Sequence, residues 1–461
     1  MRLLLAILAL ASSVSAQVKL PPFSRQVLPN GVTLLMSPKE ELPLTNFRVV
    51  IRGGAEADPA GKAGLAAMTA ELIRRGTPTR SSSQISESLD AMGASLTTQV
   101  DRGAINVALE CLSKDTEKAL DILADILLHP SFPNEEVRKA LAQAMDATRS
   151  LKDNPNAAIG AYFNGFFFPP GHPYRYRPEG DETTLSKLDR DSMVAFHQRH
   201  FTGKNLIVIV GGSFQTTTMQ AKLAKMFSSV AAGEAYQWMP EPELKRTSSP
   251  KLLLVDVPDA TQTYFMIGQP GTKRGHPDET PIQLINTLFG GRFTSMLNDA
   301  LRVNSGLTYG AGSTVNFNRL TGSITISTFT KTETTTKAID LALEILKKLN
   351  EKGVDAAQLK SVKAFVKGSY PTQHLETAEQ VSTLLGEIEL YGLNRGEVDD
   401  LFSKIDAVTL ERANTVARQY YRAENLVIVL LGRASQLREV AKKYSAEITE
   451  STVSKPGYLV P

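Results

Sequence analysis

The pattern of apolar and polar residues predicts strands near the start of the chain and a helix soon after them. Two apolar runs joined by the turn sequence Pro-Asn-Gly predict a β-hairpin over residues 24–36. A further apolar run at residues 47–54 predicts another strand. Residues 64–77 predict a helix, because alanine and leucine favour helices and Gly76 ends the pattern.

Farther along, apolar residues recur at the three- and four-residue spacing of an amphipathic helix. The first such segment runs through Ile85, Leu89 and Met92, and Ser81 or Ser82 can cap it. The others are Glu117 to Leu128, and Pro133 to about Ser150. A strand with alternating apolar residues begins at Ile105 and contains Cys111, the single cysteine of the chain. One cysteine has no partner for an internal disulfide, so we expect Cys111 to be a buried, inert thiol.

Three segments of the first half recur in the second half at an offset of 219 or 220 residues. The pairs are 103–107 with 322–326, 118–122 with 337–341, and 204–212 with 424–432. This repeat predicts two homologous halves, with a linker in the Gly-, Pro- and Ser-containing stretch 231–250. Because each half contains strands and long amphipathic helices, we expect an α+β fold. Each half would be a mostly antiparallel sheet with helices packed on one face.

Composition limits the possible partners and the location of the protein. The 51 Lys and Arg residues nearly balance the 48 Asp and Glu residues, so no strong field favours a nucleic acid. Residues 1–16 have the basic start, apolar core and small-residue end of a secretory signal peptide, which predicts export to a bacterial periplasm. No other apolar run has the length of a membrane span. The expected domains are therefore a signal peptide at 1–16, an N-terminal domain at 17–235 and a C-terminal domain at 236–461.

The helix at residues 64–77 reads GLAAMTAELIRRGT and resembles the active-site helix of the pitrilysin/insulinase family of zinc peptidases, the inverzincins. The motif of that family is H-x-x-E-H, in which two histidines one helical turn apart bind zinc and the glutamate accepts a proton from zinc-bound water. Here Ala67 replaces the first histidine, Ala70 the glutamate and Glu71 the second histidine. We expect Glu71 to be a solvated or ion-paired helix carboxylate.

The resemblance also implies a third zinc ligand, a glutamate on a later helix. Counting 76 residues beyond Glu71 reaches Ala147, which has no ligand atom. Asp146 is adjacent, but a shift of one residue turns a helical side chain by about 100°. The expectation is a degenerate metal site at Ala67, Ala70, Glu71 and Ala147, with no cofactor bound by this chain.

Three histidines are further candidates. His172 lies in a Gly-His-Pro-Tyr loop that resembles a loop of the same family, and we expect it to pack beside Tyr174. His197 and His200 have the spacing of a metal-binding pair. The internal repeat places Ala417 and Tyr420 at the equivalent positions, which favours a structural role for both histidines.

The second half retains a family motif, whereas the first half has lost the zinc-site residues. Residues 288–310 resemble the family segment L-G-G-G-x-x-S-x-L…L-R-x-x-x-G-L-x-Y, whose arginine and tyrosine hold the substrate opposite the zinc. The matching residues are Arg302 and Tyr309. A guanidinium and a phenol are suitable donors to the carbonyl oxygen of a peptide. The alternative is a structural role, with Arg302 ending a helix and Tyr309 packed in a strand.

In two-subunit members of this family, one chain supplies the zinc and the other supplies the arginine and tyrosine. The resemblance therefore implies a substrate-binding subunit of an exported heterodimeric zinc metallopeptidase, inactive alone, whose partner carries an intact H-x-x-E-H motif and the zinc. Two alternatives remain open. One is a structural or peptide-capturing protein, like the core proteins of the respiratory cytochrome bc complex. The other is an autonomous metallopeptidase with an atypical site around Glu71, Asp146 or the His197/His200 pair.

Overall fold

The computed structural model describes residues 17–240 and 244–460, so the predicted signal peptide lies outside the described residues. The strands of the N-terminal half are β1 (Ser24–Val27), β2 (Thr33–Pro38), β3 (Leu44–Arg52), β4 (Ser95–Val100), β5 (Ala104–Leu112) and β6 (Leu206–Gly212). Its helices are α1 (Leu65–Leu72), α2 (Ser82–Ala91), α3 (Thr116–Leu128), α4 (Asn134–Lys152), α5 (Pro155–Phe167), α6 (Glu182–Leu185), α7 (Arg190–His200) and α8 (Thr216–Phe227).

The C-terminal half repeats this arrangement. Its strands are β7 (Lys251–Asp256), β8 (Gln262–Pro270), β9 (Ala311–Phe317), β10 (Gly322–Lys331), β11 (Val427–Gly432) and β12 (Glu447–Thr452). Its helices are α9 (Glu279–Asn286), α10 (Met296–Asn298), α11 (Thr335–Lys352), α12 (Ala356–His374), α13 (Ala378–Tyr391), α14 (Gly396–Asp399), α15 (Leu401–Ala407), α16 (Leu410–Tyr420) and α17 (Ala434–Tyr444). Within the described ranges, no helix combines the length and apolarity needed to cross a bilayer.

Each half forms one six-stranded sheet. The strand orders are β1-β2-β6-β3-β5-β4 and β12-β7-β11-β8-β10-β9. Most neighbours are antiparallel; the parallel pairs are β2 with β6, β7 with β11, and β7 with β12. The expected α+β class with two duplicated halves is confirmed. The three repeated sequence segments overlap equivalent elements in the two halves, namely β5 and β10, α3 and α11, and β6 and β11.

Local predictions from the sequence agree with the structure. The Pro-Asn-Gly turn joins β1 to β2, and Gly31 adopts a φ of 94° that favours glycine. The Ser81 hydroxyl caps α2 by accepting a hydrogen bond from the Gln84 amide. Cys111 is a buried free thiol, as predicted.

The two halves exchange one helix each, which no local pattern in the sequence indicates. Helix α5 of the N-terminal half packs on β8 and β11 of the second sheet, and α13 of the C-terminal half packs on β3 and β6 of the first sheet. Apolar side chains of α5 therefore share a core with Leu253 and Val429, and those of α13 share one with Val50 and Ile207. Because of this exchange, the middle of each sheet is covered on both faces.

Glycines allow both exchanged helices to approach closely. A β-carbon at Gly268 on β8 would lie 2.2 Å from the Phe163 ring of α5. A β-carbon at Gly211 on β6 would lie 2.8 Å from the Ser382 hydroxyl of α13. Both distances are too short for real contacts, so the packing requires a residue without a side chain at each position.

Segments near both ends of the described chain also cross to the opposite half. Leu20 is buried in the C-terminal core, and its amide donates to the Asp399 carboxylate at 2.8 Å. Tyr458 packs against Tyr162 of α5 at a ring distance of 5.0 Å and donates its hydroxyl hydrogen to the Thr148 carbonyl. These two crossing segments, residues 17–22 and 453–460, hold the halves together in addition to the exchanged helices.

Candidate functional site

Helix α1 contains the positions where the resembled family binds zinc. The Asp58 carboxylate accepts hydrogen bonds of 2.8 Å from the amides of Gly64 and Ala66 at the start of the helix. The φ of Gly64 is 96°, which allows the chain to turn sharply into α1. Helix α1 packs against α4 and α7, so the position of this helix is fixed by its neighbours.

The side chains at the zinc positions do not fit the metal. Ala67 and Ala70 carry no ligand atoms, and Ala70 is buried. The Glu71 carboxylate accepts hydrogen bonds from Arg75 at 2.8 and 2.5 Å, so it is an ion-paired helix carboxylate. Ala147 is exposed on α4. Across the described residues, no three or more His, Cys, Asp or Glu side chains are grouped to hold a metal ion.

Asp146, considered for an atypical metal site, and His172, considered as a binding residue, both lie in structural contacts. The Asp146 carboxylate is exposed and pairs with Arg149 at 2.9 Å. His172 is buried, stacks on Phe168 at a ring distance of 4.6 Å, and accepts the Tyr174 amide hydrogen at Nδ1. Burial lowers the pKa of His172 to about 4, so its ring is neutral at pH 7.

The imidazole rings of His197 and His200 both pack against neighbouring side chains. Nε2 of His197 lies 2.8 Å from the Leu127 carbonyl, and its ring stacks on Phe201. The His200 ring packs against Phe196 at 4.3 Å. Burial lowers the pKa of both histidines, and that of His200 to about 4. Both rings are therefore parts of the core around α7.

Arg302 and Tyr309 are placed by a helix and the turn that follows it. Helix α10 continues as a π-helical segment, Asp299–Asn304, that contains Arg302. Gly306 ends this segment with a φ of 63°, and its amide donates to the Arg302 carbonyl at 3.1 Å. Leu301 is fully buried, which anchors the segment and leaves Arg302 on the solvent side.

Threonines of β10 hold the turn that carries Tyr309. The Thr328 hydroxyl donates to the Gly310 carbonyl at 2.8 Å and lies 3.0 Å from the Thr308 hydroxyl. The Thr330 hydroxyl donates to the Leu307 carbonyl at 2.7 Å. Tyr309, between these attachments, is 81% exposed, so it does not pack in a strand as the structural alternative required.

Neither candidate side chain is engaged in a polar contact with another described residue. The Arg302 guanidinium lies over the Phe293 ring, 4.9 Å from its centroid. The Tyr309 ring is 6.4 Å from the ring of Phe329. A guanidinium and a phenol that face solvent on an anchored turn are both available as hydrogen-bond donors.

Other exposed apolar and cationic side chains lie near these two residues along the chain or in contact with their neighbours. Phe293 and Val303 are 66% and 62% exposed, and the Arg292 guanidinium lies 5.6 Å from the Phe365 ring centroid. We use the name Arg/Tyr surface for this set of residues, namely Arg292, Phe293, Arg302, Val303, Tyr309 and Phe365. Exposed aromatic and arginine side chains in one patch are typical of interaction surfaces.

Sequence reasoning found Arg302 and Tyr309 but missed the rest of this surface. Phe293 and Arg292 directly follow the glycine pair at 290 and 291, and an aromatic residue in such a loop is a signal that could have been used. Phe365 lies on α12, more than 60 residues away, and no local pattern connects it with the loop.

The sequence of this chain matches two models of one protein family. Residues 35–161 match the family model for insulinase, peptidase family M16, and residues 187–366 match the model for the peptidase M16 inactive domain. The chain belongs to the insulinase (M16) family.

Similar proteins include members named as proteases and one named as a non-peptidase. An uncharacterized zinc protease of Mycobacterium leprae is 24% identical over 86% of this chain and 88% of its own length. The non-peptidase homolog YmxG of Helicobacter pylori is 23% identical over 85% of this chain and 89% of its own.

Two crystal structures show a similar fold. The peptidase M16 inactive domain of Pseudomonas fluorescens has a TM-score of 0.83 and 21% identity, covering 89% of this chain and 98% of its own. A protease from Helicobacter pylori has a TM-score of 0.80 and 18% identity, covering 90% of this chain and all of its own. Together with the substituted zinc positions, these matches support a non-catalytic member of the M16 fold.

Proposed function

We propose that this chain is the substrate-binding, zinc-lacking subunit of an exported heterodimeric metallopeptidase. The observation that carries the proposal is a contrast between the halves. Alanines occupy zinc positions in the first half, whereas Arg302 and Tyr309 in the second half are exposed and free of other polar contacts among the described residues. A purely structural member has no need for such a pair on an anchored turn.

The chemistry of the pair suits an extended peptide. Peptide hydrolysis builds negative charge on the carbonyl oxygen, and donors already in place stabilise that charge without reorganisation. The Arg302 guanidinium supplies several N–H donors and the Tyr309 phenol one. The Phe293 ring beneath Arg302 limits the orientations of the guanidinium, so less entropy is lost when substrate binds.

The partner in this proposal is a homologous chain with an intact H-x-x-E-H motif, which supplies the zinc. The Arg/Tyr surface would face the partner's active-site helix with the peptide between them. The signal-like pattern of residues 1–16 supports a periplasmic location for the assembled enzyme.

Reconstitution with the partner tests the proposal. A similar exported chain carrying H-x-x-E-H, sought in a neighbouring gene, is purified alone and together with this protein. We expect chelator-sensitive hydrolysis of an unstructured peptide from the mixture only. Arg302→Ala or Tyr309→Phe should lower kcat/KM by about a hundredfold, which is the usual effect of removing an oxyanion donor.

The control is Arg438→Ala, because Arg438 is an exposed arginine of the same half that pairs with Glu450 outside the Arg/Tyr surface. This variant should keep full activity. A mixture that is equally active with Arg302 and Tyr309 both replaced would favour a structural or peptide-capturing role. Stoichiometric zinc in the pure chain, with activity in the absence of a partner, would instead show an autonomous peptidase.

A further inference from the structure

A cavity of about 620 Å³ opens in the C-terminal half between α9, α12 and α13. Its wall is mixed, and its apolar side chains include Leu284, Phe317 and Leu384. The cavity volume is in the range of sites that bind small ligands or single side chains of larger ligands.

The cavity adjoins the Arg/Tyr surface. Phe365 belongs to both, since it lines the cavity and its ring lies beneath the Arg292 guanidinium. Gly291, which also lines the cavity, immediately precedes Arg292. A peptide held at the Arg/Tyr surface therefore has this cavity within reach of a neighbouring side chain.

Acidic groups outnumber basic ones in the cavity wall. The carboxylates are those of Glu279, Glu387 and Glu397, and the cations are Arg274 and Lys404. Burial lowers the pKa of His374, so its imidazole is neutral at pH 7 and does not add to the cations. The carboxylates and cations of the wall together carry a negative formal charge.

The cations of the wall are already paired with two of these carboxylates. Arg274 pairs with Glu279, which also accepts the Gly275 amide hydrogen at 2.7 Å. Lys404 lies 3.0 Å from the Glu397 carboxylate. The Coulomb attraction of both cations is therefore directed mainly at their close partners.

The negative charge of Glu387 is not fully neutralised by a nearby cation. Its nearest cation in the described structure is Arg274, at 3.7 Å, which is too long for a hydrogen bond. Burial raises the pKa of Glu387, and the attraction of Arg274 offsets this only in part. Arg274 is shared with Glu279, so a positively charged ligand would supply Glu387 with a cation of its own.

Aromatic rings line the same cavity and suit the stem of such a ligand. The rings of Tyr370 and His374 on α12 pack against each other, with their centroids 4.5 Å apart. Together with Phe317 and Phe365, they form a wall on which an aliphatic chain or a guanidinium can lie.

We infer that this cavity is a specificity pocket for a cationic group of the peptide substrate, with Glu387 as its counterion. The inference rests on the proposed function for the peptide itself. The cation can come from an arginine or lysine side chain or from the amino terminus of the peptide. In either case Glu387 pairs with the charge and the aromatic wall contacts the apolar part.

Peptide binding to the isolated protein tests this inference without a partner subunit. The probe is a fluorescein-labelled, N-acetylated peptide of alanine, serine and glycine with one central arginine, and its matched control carries the neutral isostere citrulline. We expect the arginine peptide to bind about two- to fivefold more tightly, as for one partly exposed charge pair. A third peptide, with a free amino terminus and no arginine, shows whether the terminus is the preferred cation.

Two substitutions on α13 test whether Glu387 causes the preference for the cationic peptide. Glu387→Gln should abolish the preference for the cationic peptide. Glu379→Gln is the matched control, because Glu379 lies on the same helix outside the cavity and also contacts one arginine, Arg48, at 3.7 Å. This control should leave the preference unchanged.

Several results would overturn the inference. These are equal binding of the charged and neutral peptides, tighter binding of a glutamate peptide, an unchanged preference in Glu387→Gln, and no measurable binding of any peptide at millimolar concentration. None of them depends on peptidase activity. A failure of the pocket is therefore distinct from a failure of the proposed subunit role, which is tested by reconstitution with Arg302 and Tyr309 variants.

Discussion

The Arg319 guanidinium of the C-terminal half lies 2.7 Å from the Glu56 carboxylate of the N-terminal half. The Glu56 side chain is 1% exposed, and its other oxygen accepts a hydrogen bond from the Tyr174 hydroxyl. The Arg319 guanidinium also lies over the ring of Trp238, a residue of the predicted linker. This ion pair is a buried polar link across the interface of the two halves.

Removing Arg319 alone should destabilise the protein strongly. Arg319→Met leaves the buried Glu56 carboxylate without its cation, and we expect a loss of about 3–5 kcal/mol in the free energy of unfolding. Chemical denaturation measures this change. Adding Glu56→Gln to Arg319→Met should restore part of the loss, and a double variant as unstable as the single one would contradict this account.

The contact between Gly268 and Phe163 gives a second prediction, about the exchanged helix α5. Gly268→Ala should destabilise the protein by about 1–3 kcal/mol, because the new methyl group overlaps the Phe163 ring. Gly160→Ala is the control: nothing lies within 4 Å of a β-carbon there, and alanine favours a helix. It should raise the free energy of unfolding by about 0.5–1 kcal/mol. Chemical denaturation compares the two variants, and a Gly268→Ala protein as stable as Gly160→Ala would disprove the close packing of α5.

Acid should destabilise the folded state between about pH 6.5 and pH 4. The pKa values of His172 and His200 are lowered from 6.5 to about 4 by burial, so in this window each histidine binds more protons in the unfolded chain than in the folded one. Asp58, whose pKa is raised to about 7 by burial, has the opposite effect and offsets one of the two histidines. The free energy of unfolding therefore falls as the pH falls, with a slope of at most about 1.4 kcal/mol per pH unit for each histidine.

Urea denaturation at several pH values measures that slope. His200→Phe should reduce it, because phenylalanine does not titrate. Phe196→Leu, which alters the ring packed on His200, should change stability at every pH and leave the slope intact. A slope unaffected by His200→Phe would show that other groups cause the acid sensitivity.

The Thr328 hydroxyl should affect activity through the position of Tyr309. In the reconstituted peptidase, Thr328→Val loses the hydrogen bonds to the Gly310 carbonyl and the Thr308 hydroxyl, and we expect kcat/KM to fall about fivefold. Thr325→Val is the control on the same strand, since its hydroxyl contacts the Thr314 carbonyl instead. Similar losses of activity in both variants would indicate general destabilisation of β10.

Features with a local cause were predictable from the sequence. The turn at Gly31, the Ser81 cap and the alternating strand around Cys111 each depend on residues a few positions apart. The duplication was predictable for a different reason, because the repeated segments remain similar enough to align. Arg302 and Tyr309 were found by their fixed spacing in a family motif, and their exposure came only from the structure.

Features that depend on distant contacts were not predicted. The exchange of α5 and α13 is decided by packing between residues more than 100 positions apart, such as Phe163 with Gly268. Helix α5 did carry a signal, since Ala158, Tyr162 and Phe163 are all apolar or aromatic and a helix apolar on several faces is buried on several faces. The cavity around Glu387 combines residues of five separate helices, α9 and α12 to α15, which no periodicity in one of them reveals.

The exchange of helices has a consequence for how the protein is made. Helix α5 ends at Phe167, and the sheet that it covers begins at Lys251. A chain synthesised from its amino terminus therefore presents this apolar helix before any strand of its binding surface exists. Neither half expressed as a separate fragment would bury its own sheet completely, whereas the two fragments produced together have the complementary surfaces needed to assemble.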